Sequence, residues 1–324
     1  MRFVRTLIHS ARIWCRKHLP ETALDALRAL SRCRHSRSKA LNRKNSPLLK
    51  LGDLAADLRS AGFRAGDVIM VHSSLSSIGR VEGCAATVIA SLIELLTDEG
   101  TLIMPCYNSA GSFLRNLKHG KMLDLRTSPS ATGKITEVFR AYPGVLRSSH
   151  PFSSSCAIGK HAEYATNGHE MAPEVCHADS PVGRLVELKG KVVGIGISIA
   201  QGLGVAHYME DTWEGFPFEV HTPKFPVKYI NSSGEMVERD VCRFDPGIAR
   251  TRIDYPEGAW ICEKLAYHLA RKGILERFKF GDAESWVMQA DVLYEELKRL
   301  AAKHVTMYLT EDKLTDENRD TESW

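Results

Sequence analysis

No uncharged apolar run in the 324 residues reaches 18, so the sequence offers no membrane-spanning helix. Paired cysteines are missing too. The eight cysteines stand singly at 15, 33, 84, 106, 156, 176, 242 and 262, without a Cys-x-x-Cys. That spacing argues against a zinc ribbon or a thioredoxin-type motif. No segment reads as a cleavable signal peptide, so free thiols in a reducing cytoplasm are expected. A Gly-x-Ser-x-Gly elbow is absent, which weighs against a serine hydrolase built on Ser73 or Ser74 with His207. The body also lacks interleaved aromatic and basic residues, which weighs against a nucleic-acid binding module. What remains is ordinary for a globular protein: 44% hydrophobic and 25% charged residues.

The net charge of +4 hides an uneven distribution. Residues 1–50 carry 13 Lys/Arg against Glu21 and Asp25, giving +11, so the remainder carries −7. The last twenty residues hold six acids and two bases. The chain divides accordingly into a basic amphipathic arm and linker (1–47), a body (48–304) and an acidic tail expected to be disordered (305–324). In the arm, Phe3, Leu7, Ala11 and Trp14 recur at helical spacing among arginines. Such a helix could rest on an anionic membrane surface, touch nucleic acid, serve as a transit peptide or pack on the body. The reading carried forward is a cytoplasmic protein, with peripheral contact at the inner face of the membrane and no nucleic-acid partner.

The body alternates strands and helices. Periodicity predicts helices over 49–61, 83–96 and 132–140, and strands over 67–72, 101–104 and 191–197. A hairpin is expected over 225–230 and 235–244, and two closing helices near 257–271 and 284–302. Strand, turn, helix and strand over 67–104 make a parallel crossover. The fold class is therefore α/β: one large domain, a mixed central sheet flanked by helices, and an added antiparallel hairpin.

Three segments are candidates for chemistry. The first is the turn Val71-His72-Ser73-Ser74-Leu75-Ser76-Ser77-Ile78-Gly79-Arg80, between a strand and a helix. Its backbone N–H groups, hydroxyls and Arg80 suit an anion, against the plainer reading of a tight turn. It does not have the Gly-x-x-x-x-Gly-Lys of a nucleotide triphosphatase loop. Arg80-Val-Glu-Gly83-Cys-Ala85 fits an Arg-x-x-Gly-x-Ala spacing, which alone is weak. The second is the loop Arg147-Ser-Ser149-His150-Pro151-Phe152, equally readable as a surface turn. The third is Gly202-Leu-Gly204-Val-Ala-His207-Tyr-Met-Glu210-Asp211, after a glycine-rich loop at a strand end. On a helix His207 and Glu210 share a face, and a carboxylate beside an imidazole orients a general base. Asp179, Glu210, Asp211, Glu214 and Glu219 are dense here and would attract a polycation in a cleft; the alternative is a solvated acidic face.

Together these segments resemble the antibiotic N-acetyltransferase family, typified by aminoglycoside 3-N-acetyltransferases. The pattern shows in VHSSLSSIGRVEG (71–83), EGTLIMP (99–105), RTSPSATGKITEVF (126–139), GVLRSSHPFSSSCAIGKHA (144–162), DSP (179–181), KVVGIGI (191–197) and the His207-x-x-Glu210 segment. The resemblance implies a non-GNAT α/β fold and acetyl-coenzyme A as co-substrate, with no metal. It implies an aminoglycoside acceptor, at the 3-amino group of the deoxystreptamine ring. The alternative is an N-acyltransferase for an aminosugar in surface polysaccharide synthesis.

By the resemblance, His207 is the catalytic base, Glu210 orients it, and Asp179 and His72 support them. Ser73, Ser74, Leu75, Ser76, Ser77 and Arg80 hold the cofactor, with Ser128, Ser149, His150, Pro151 and Phe152 as further contacts. Asp179, Glu210, Asp211 and Glu214 face the acceptor. Gly83-Cys84 stands where the family commonly has Gly-Gly, and Val205-Ala206 where it commonly has a polar pair.

Overall fold

The computed structural model describes residues 46–108, 122–245, 248 and 259–308, and the side chains of 259–261 fall outside that description. The basic arm up to residue 45 and the tail beyond 308 also lie outside the described residues. Strand β1 (Leu48–Leu49) leads into α1 (Leu51–Ser60), whose Asp53 carboxylate accepts from the Lys50 N–H at 2.8 Å and so satisfies one orphan amide of the first turn. Then come β2 (Val68–Ser73), the single turn α2 (Leu75–Ile78), β3 (Arg80–Val81), α3 (Ala85–Leu96) and β4 (Thr101–Pro105). β5 (Leu123–Asp124), α4 (Lys134–Arg140), β6 (Leu146–Arg147), β7 (Ser155–Gly159) and α5 (Ala162–Thr166) follow. The chain continues through α6 (Pro181–Glu187), β8 (Lys191–Ile195), α7 (Gly204–Thr212), β9 (Phe225–Ile230) and β10 (Met236–Val241). It closes with α8 (Ala259–Arg271), β11 (Glu276–Phe280), β12 (Ala283–Gln289) and α9 (Ala290–Ala301). No helix among the described residues is long and apolar enough to cross a membrane.

The central sheet has seven strands in the order β11-β12-β8-β2-β4-β7-β6. β8, β2 and β4 run parallel, and the flanking pairs are antiparallel. Strand alternation sorts side chains onto two faces. Ile69 and Val71 of β2, Leu102 and Met104 of β4, and Val193 and Ile195 of β8 pack in one core with Leu54 and Leu58 of α1 and Val88 and Leu92 of α3. Met70, Ile103, Val192, Trp286 and Met288 belong to the opposite core, with Val182 of α6, Met209 of α7 and Leu293 of α9. His72 lies two residues beyond Met70, so the pleat turns it toward the α7 side.

The connection from β2 passes through α3 to β4, whereas the chain leaving β8 returns as β12 on the other side. The C-terminal ends of β2 and β8 therefore border a topological switch point, where α/β sheets bind ligands. His72 pairs with Gly194 there. A Cβ on Gly194 would run into the Trp286 indole, and one on Gly202 would meet the same ring. Trp286 donates from Nε1 to the Ile197 carbonyl at 3.0 Å. The glycines of Lys191–Ile197 and the loop after it thus let a buried indole lie flat against the sheet below the site.

The structure adds β6, β7, α5, α6 and β11 where no element was expected, and it corrects two expectations. Residues 284–289, expected in the last helix, belong to β12, paired with β8 from Gln289↔Lys191 to Ser285↔Ile195. Burial of Trp286 and Met288, two apart, is a strand signal, and the amphipathic helical spacing begins only at Ala290. The expected tail boundary at 304 also falls short: Val305, Thr306, Met307 and Tyr308 are buried in the body.

Candidate active site

α7 follows β8 by way of a 3₁₀ turn at Ile199–Gln201. On it, Val205, Ala206 and Met209 are buried against the core, and His207 sits on the adjoining face. Nδ1 of His207 lies 2.7 Å from Oε2 of Glu210, one turn on. The Glu210 side chain has no exposed surface, while His207 keeps 15%. The same Oε2 accepts from the Tyr308 hydroxyl at 2.9 Å. A carboxylate only accepts when ionised, so the proton of this pair belongs on Nδ1 and the lone pair on Nε2.

His207 borders a cavity of about 410 Å³. From β2 it receives His72, from β4's end Tyr107 and Asn108, and from the loop before β7 Phe152 and Ser153. Gln201 and Leu203 close it ahead of α7, with Val175 and Cys176 nearby, and Arg243 and Phe244 come from the end of the hairpin. Phe244 tilts over the His207 ring with centroids 4.4 Å apart. On its other side Phe244 lies 4.9 Å from His221.

One wall is fixed by Arg147, whose five N–H donors are all engaged. Nη1 reaches the carbonyls of Leu125 and Ser128 at 2.6 and 2.7 Å. Nη2 reaches the Cys106 carbonyl at 3.0 Å and Asn108 Oδ1 at 3.3 Å, and Nε reaches Ser154 Oγ at 3.0 Å. Asn108 in turn donates to the Pro151 carbonyl.

Of the expected site residues, the structure gathers His207, His72 and Phe152 at the cavity, with Glu210 directly behind His207. The others lie elsewhere. Ser73, Ser74, Leu75, Ser76, Ser77 and Arg80 continue from His72 past the cavity's edge. Ser74, Ser76 and Ser77 form a hydroxyl chain, and Arg80 is exposed. Ser128 Oγ is committed to the Asp124 carbonyl at 2.6 Å. Ser149 is buried against Ser232, and Pro151 is buried beside it. His150 is fully buried, and its Nδ1 accepts from the amides of Phe152 and Ser153, closing its own turn. These three therefore shape the wall from behind and do not face the cavity.

The acids expected to face an acceptor do not line the cavity either. Asp179 pairs with Arg184 of α6. The Asp211 side chain has no exposed surface, accepting from the Cys176 amide at 2.8 Å and lying 3.2 Å from His221 Nε2. Burial pulls the His221 imidazole down, but Asp211 and Glu219 more than offset it, leaving its pKa raised. Glu210 has no exposed face, and Glu214 is exposed but outside the lining. Among the described residues no group of three or more His, Cys, Asp and Glu stands arranged for a metal ion. Tyr308, Arg243 and Phe244 were not anticipated. Only the alternation of Val305 and Met307 just ahead of the acids hinted that the chain returns to the core there.

Burial holds His72 at about 4 and His150 at about 3, so both imidazoles are neutral near pH 7. The unfolded chain takes up these protons near 6.5, before the folded one does. Between pH 6.5 and 4 the unfolded state binds more protons, and stability falls as pH falls, by at most about 1.4 kcal/mol per pH unit for each histidine. Urea melts at pH 7, 6 and 5 check this, and His150→Gln should show a shallower slope.

A family model described as aminoglycoside 3-N-acetyltransferase matches residues 70–301. Aminoglycoside N(3)-acetyltransferase VII of Streptomyces paromomycinus is 31% identical over 268 residues, covering 77% of this chain and 90% of that protein. A prophage-derived aminoglycoside N(3')-acetyltransferase-like protein of Bacillus subtilis is 33% identical over 159 residues, 44% of this chain and 58% of that protein. Among solved structures, AAC-IIIb in a binary complex with CoASH superposes with a TM-score of 0.67 at 24% identity, over 80% of this chain and 97% of that one. AAC-VIa bound to sisomicin gives 0.67 at 22% identity, over 80% and 98%. These superpositions establish a shared α/β fold with a mixed sheet, distinct from the GNAT fold.

Proposed function

Since this chain belongs to the aminoglycoside 3-N-acetyltransferase family, we propose that it moves an acetyl group from acetyl-coenzyme A to a primary amine, the 3-amino group of an aminoglycoside being the reference acceptor. The observation that carries this reading is the buried Glu210 carboxylate holding Nδ1 of His207 at 2.7 Å, which leaves Nε2 for the cavity.

An alkyl amine is mostly protonated near pH 7 and attacks only as the free base. Nε2 of His207 takes its proton, and Glu210 stabilises the imidazolium that forms. The amine nitrogen bonds to the thioester carbon, the carbon–sulfur bond breaks, and the imidazolium returns the proton to the leaving thiolate. Transfer is direct, without an acyl-enzyme. The developing oxyanion calls for N–H or O–H donors, and the serine run after His72 is the place for them. That run, with Arg80, is also our assignment for the donor's pyrophosphate.

Mixing the protein with acetyl-coenzyme A and sisomicin tests the reading. Coenzyme A thiol should appear only with the amine present. Thiol release without an amine would make the protein a thioesterase instead.

A further inference from the structure

We infer that His72 supplies an oxyanion donor of the transfer reaction: its Nδ1–H reaches into the cavity and hydrogen-bonds the thioester oxygen as the amine adds. The inference rests on the acetyl-transfer reading of this same cavity. It places that donor one residue ahead of the serine run, whose amides are partly spent. The Ser74 amide donates to the Ile195 carbonyl and the Ser77 amide to the Ser74 carbonyl, each at 2.9 Å. His72 stands near the end of β2, in register with Gly194 of β8, and borders the same cavity as His207. Its ring has two unlike edges. A Cβ on Gly202 would lie 3.5 Å from Cδ2, so that edge abuts the loop ahead of α7. Nε2, bonded to Cδ2, is enclosed there and has no hydrogen-bond partner among the described residues. The opposite edge, with Nδ1, is the one left to face the cavity.

A neutral imidazole carries one proton between its two nitrogens. Buried N–H groups without an acceptor are rarer than bare buried acceptors, so the proton belongs on Nδ1 and the lone pair on the enclosed Nε2. Burial holds the ring at about 4, with no carboxylate among the described residues to offset it, so it stays neutral near pH 7. His207 has what His72 lacks, a carboxylate at 2.7 Å that steadies an imidazolium. The two rings thus divide the work. As the amine nitrogen bonds to the thioester carbon, the carbonyl electrons move to oxygen and the His72 N–H holds that oxygen. The amine's proton goes to Nε2 of His207, and none leaves His72. When the carbon–sulfur bond breaks, the carbonyl re-forms and the bond to His72 weakens. β2 lies between β4 and β8 in the sheet, so the donor is in place before substrate arrives, as a donor of this kind must be to lower the barrier.

The test measures kcat and both KM values for acetyl-coenzyme A and sisomicin across pH, with thermal melts on the same samples. It compares the unmodified protein with His72→Leu, His72→Ala and His72→Asn. Leucine fills the space without a donor, alanine vacates it, and asparagine carries an N–H on the atom that corresponds to Nδ1. Removing one oxyanion donor costs about 10²–10³-fold in kcat. That loss is expected in the leucine and alanine proteins, with the acetyl-coenzyme A KM nearly unchanged. His72→Asn should recover on the order of tenfold of it, since a side-chain amide also serves as such a donor. The acidic limb of the pH profile should keep its place in all three, because His207 sets it. Near-normal kcat in folded His72→Leu or His72→Ala overturns the proposal. So do equal rates in the alanine and asparagine proteins, the mark of a purely structural role, and loss of the acidic limb, which would make His72 the base. All of these outcomes leave acetyl transfer standing. An unmodified protein that releases no coenzyme A thiol with any amine ends the transfer reading, and this proposal with it.

Discussion

A His207→Ala protein is expected to turn over about 10²–10⁴-fold more slowly than the unmodified one, with acetyl-coenzyme A binding nearly intact. The imidazole stands at the cavity and is fixed by a carboxylate with no exposed surface. Glu210→Gln keeps the shape but removes the charge that steadies the imidazolium, so its loss should be smaller. Tyr308→Phe deletes one hydrogen bond to Glu210 and should cost less again. The double variant His207→Ala/Glu210→Gln should be no slower than His207→Ala alone, since the pair acts as a unit. Single-turnover rates with thermal melts on the same samples separate loss of chemistry from loss of fold. A folded His207→Ala protein with near-normal turnover ends the assignment. His72, neutral and with an unpartnered Nε2, would then be the base to test.

Ending the chain after His304 should be nearly as damaging, through stability. Val305, Met307 and Tyr308 are 6%, 3% and 2% exposed. Burying a side chain of this class contributes about 1.5–3 kcal/mol, so the three together supply on the order of 5 kcal/mol. That is a large share of the roughly 5–15 kcal/mol by which domains are stable. The midpoint should drop by roughly 10–20 °C, and turnover per folded molecule should fall as well, because Glu210 loses the Tyr308 hydroxyl. A comparison chain ending after Tyr308 keeps these four residues. Equal melting of the two truncations would show that residues 305–308 contribute nothing.

How far the sequence reveals this protein depends on the range of each interaction. The parallel crossover from β2 to β4 was legible because its strands are short apolar runs and its helix has a clear period. The His207–Glu210 pair was legible because i and i+3 on a helix fix its geometry locally. β12 was not, since its strand character comes from pairing with β8, almost a hundred residues earlier in the chain. The acids were misleading for a related reason. Their density is a property of the sequence, but whether Asp211 faces a ligand or the Cys176 amide is decided by a loop 35 residues away. His150 and Ser149 read as a ligand-facing loop, and packing turned both inward. Tyr308 was hidden by composition, since four core residues directly precede an acidic run.

Arg147 gives the cavity a fixed jaw. One guanidinium ties together the end of β4, the segment 125–128 and the loop ahead of β7, and through Asn108 it ties in Pro151. Moving any of these parts alone breaks bonds to the others, and a lysine has neither the reach nor the planar fork to replace them. The opposing jaw, carrying Arg243 and Phe244, joins Thr222 through two backbone-anchored bonds and meets His207 by ring contact. On Arg147's side of the cavity, segments distant in the chain thus hold one shape together.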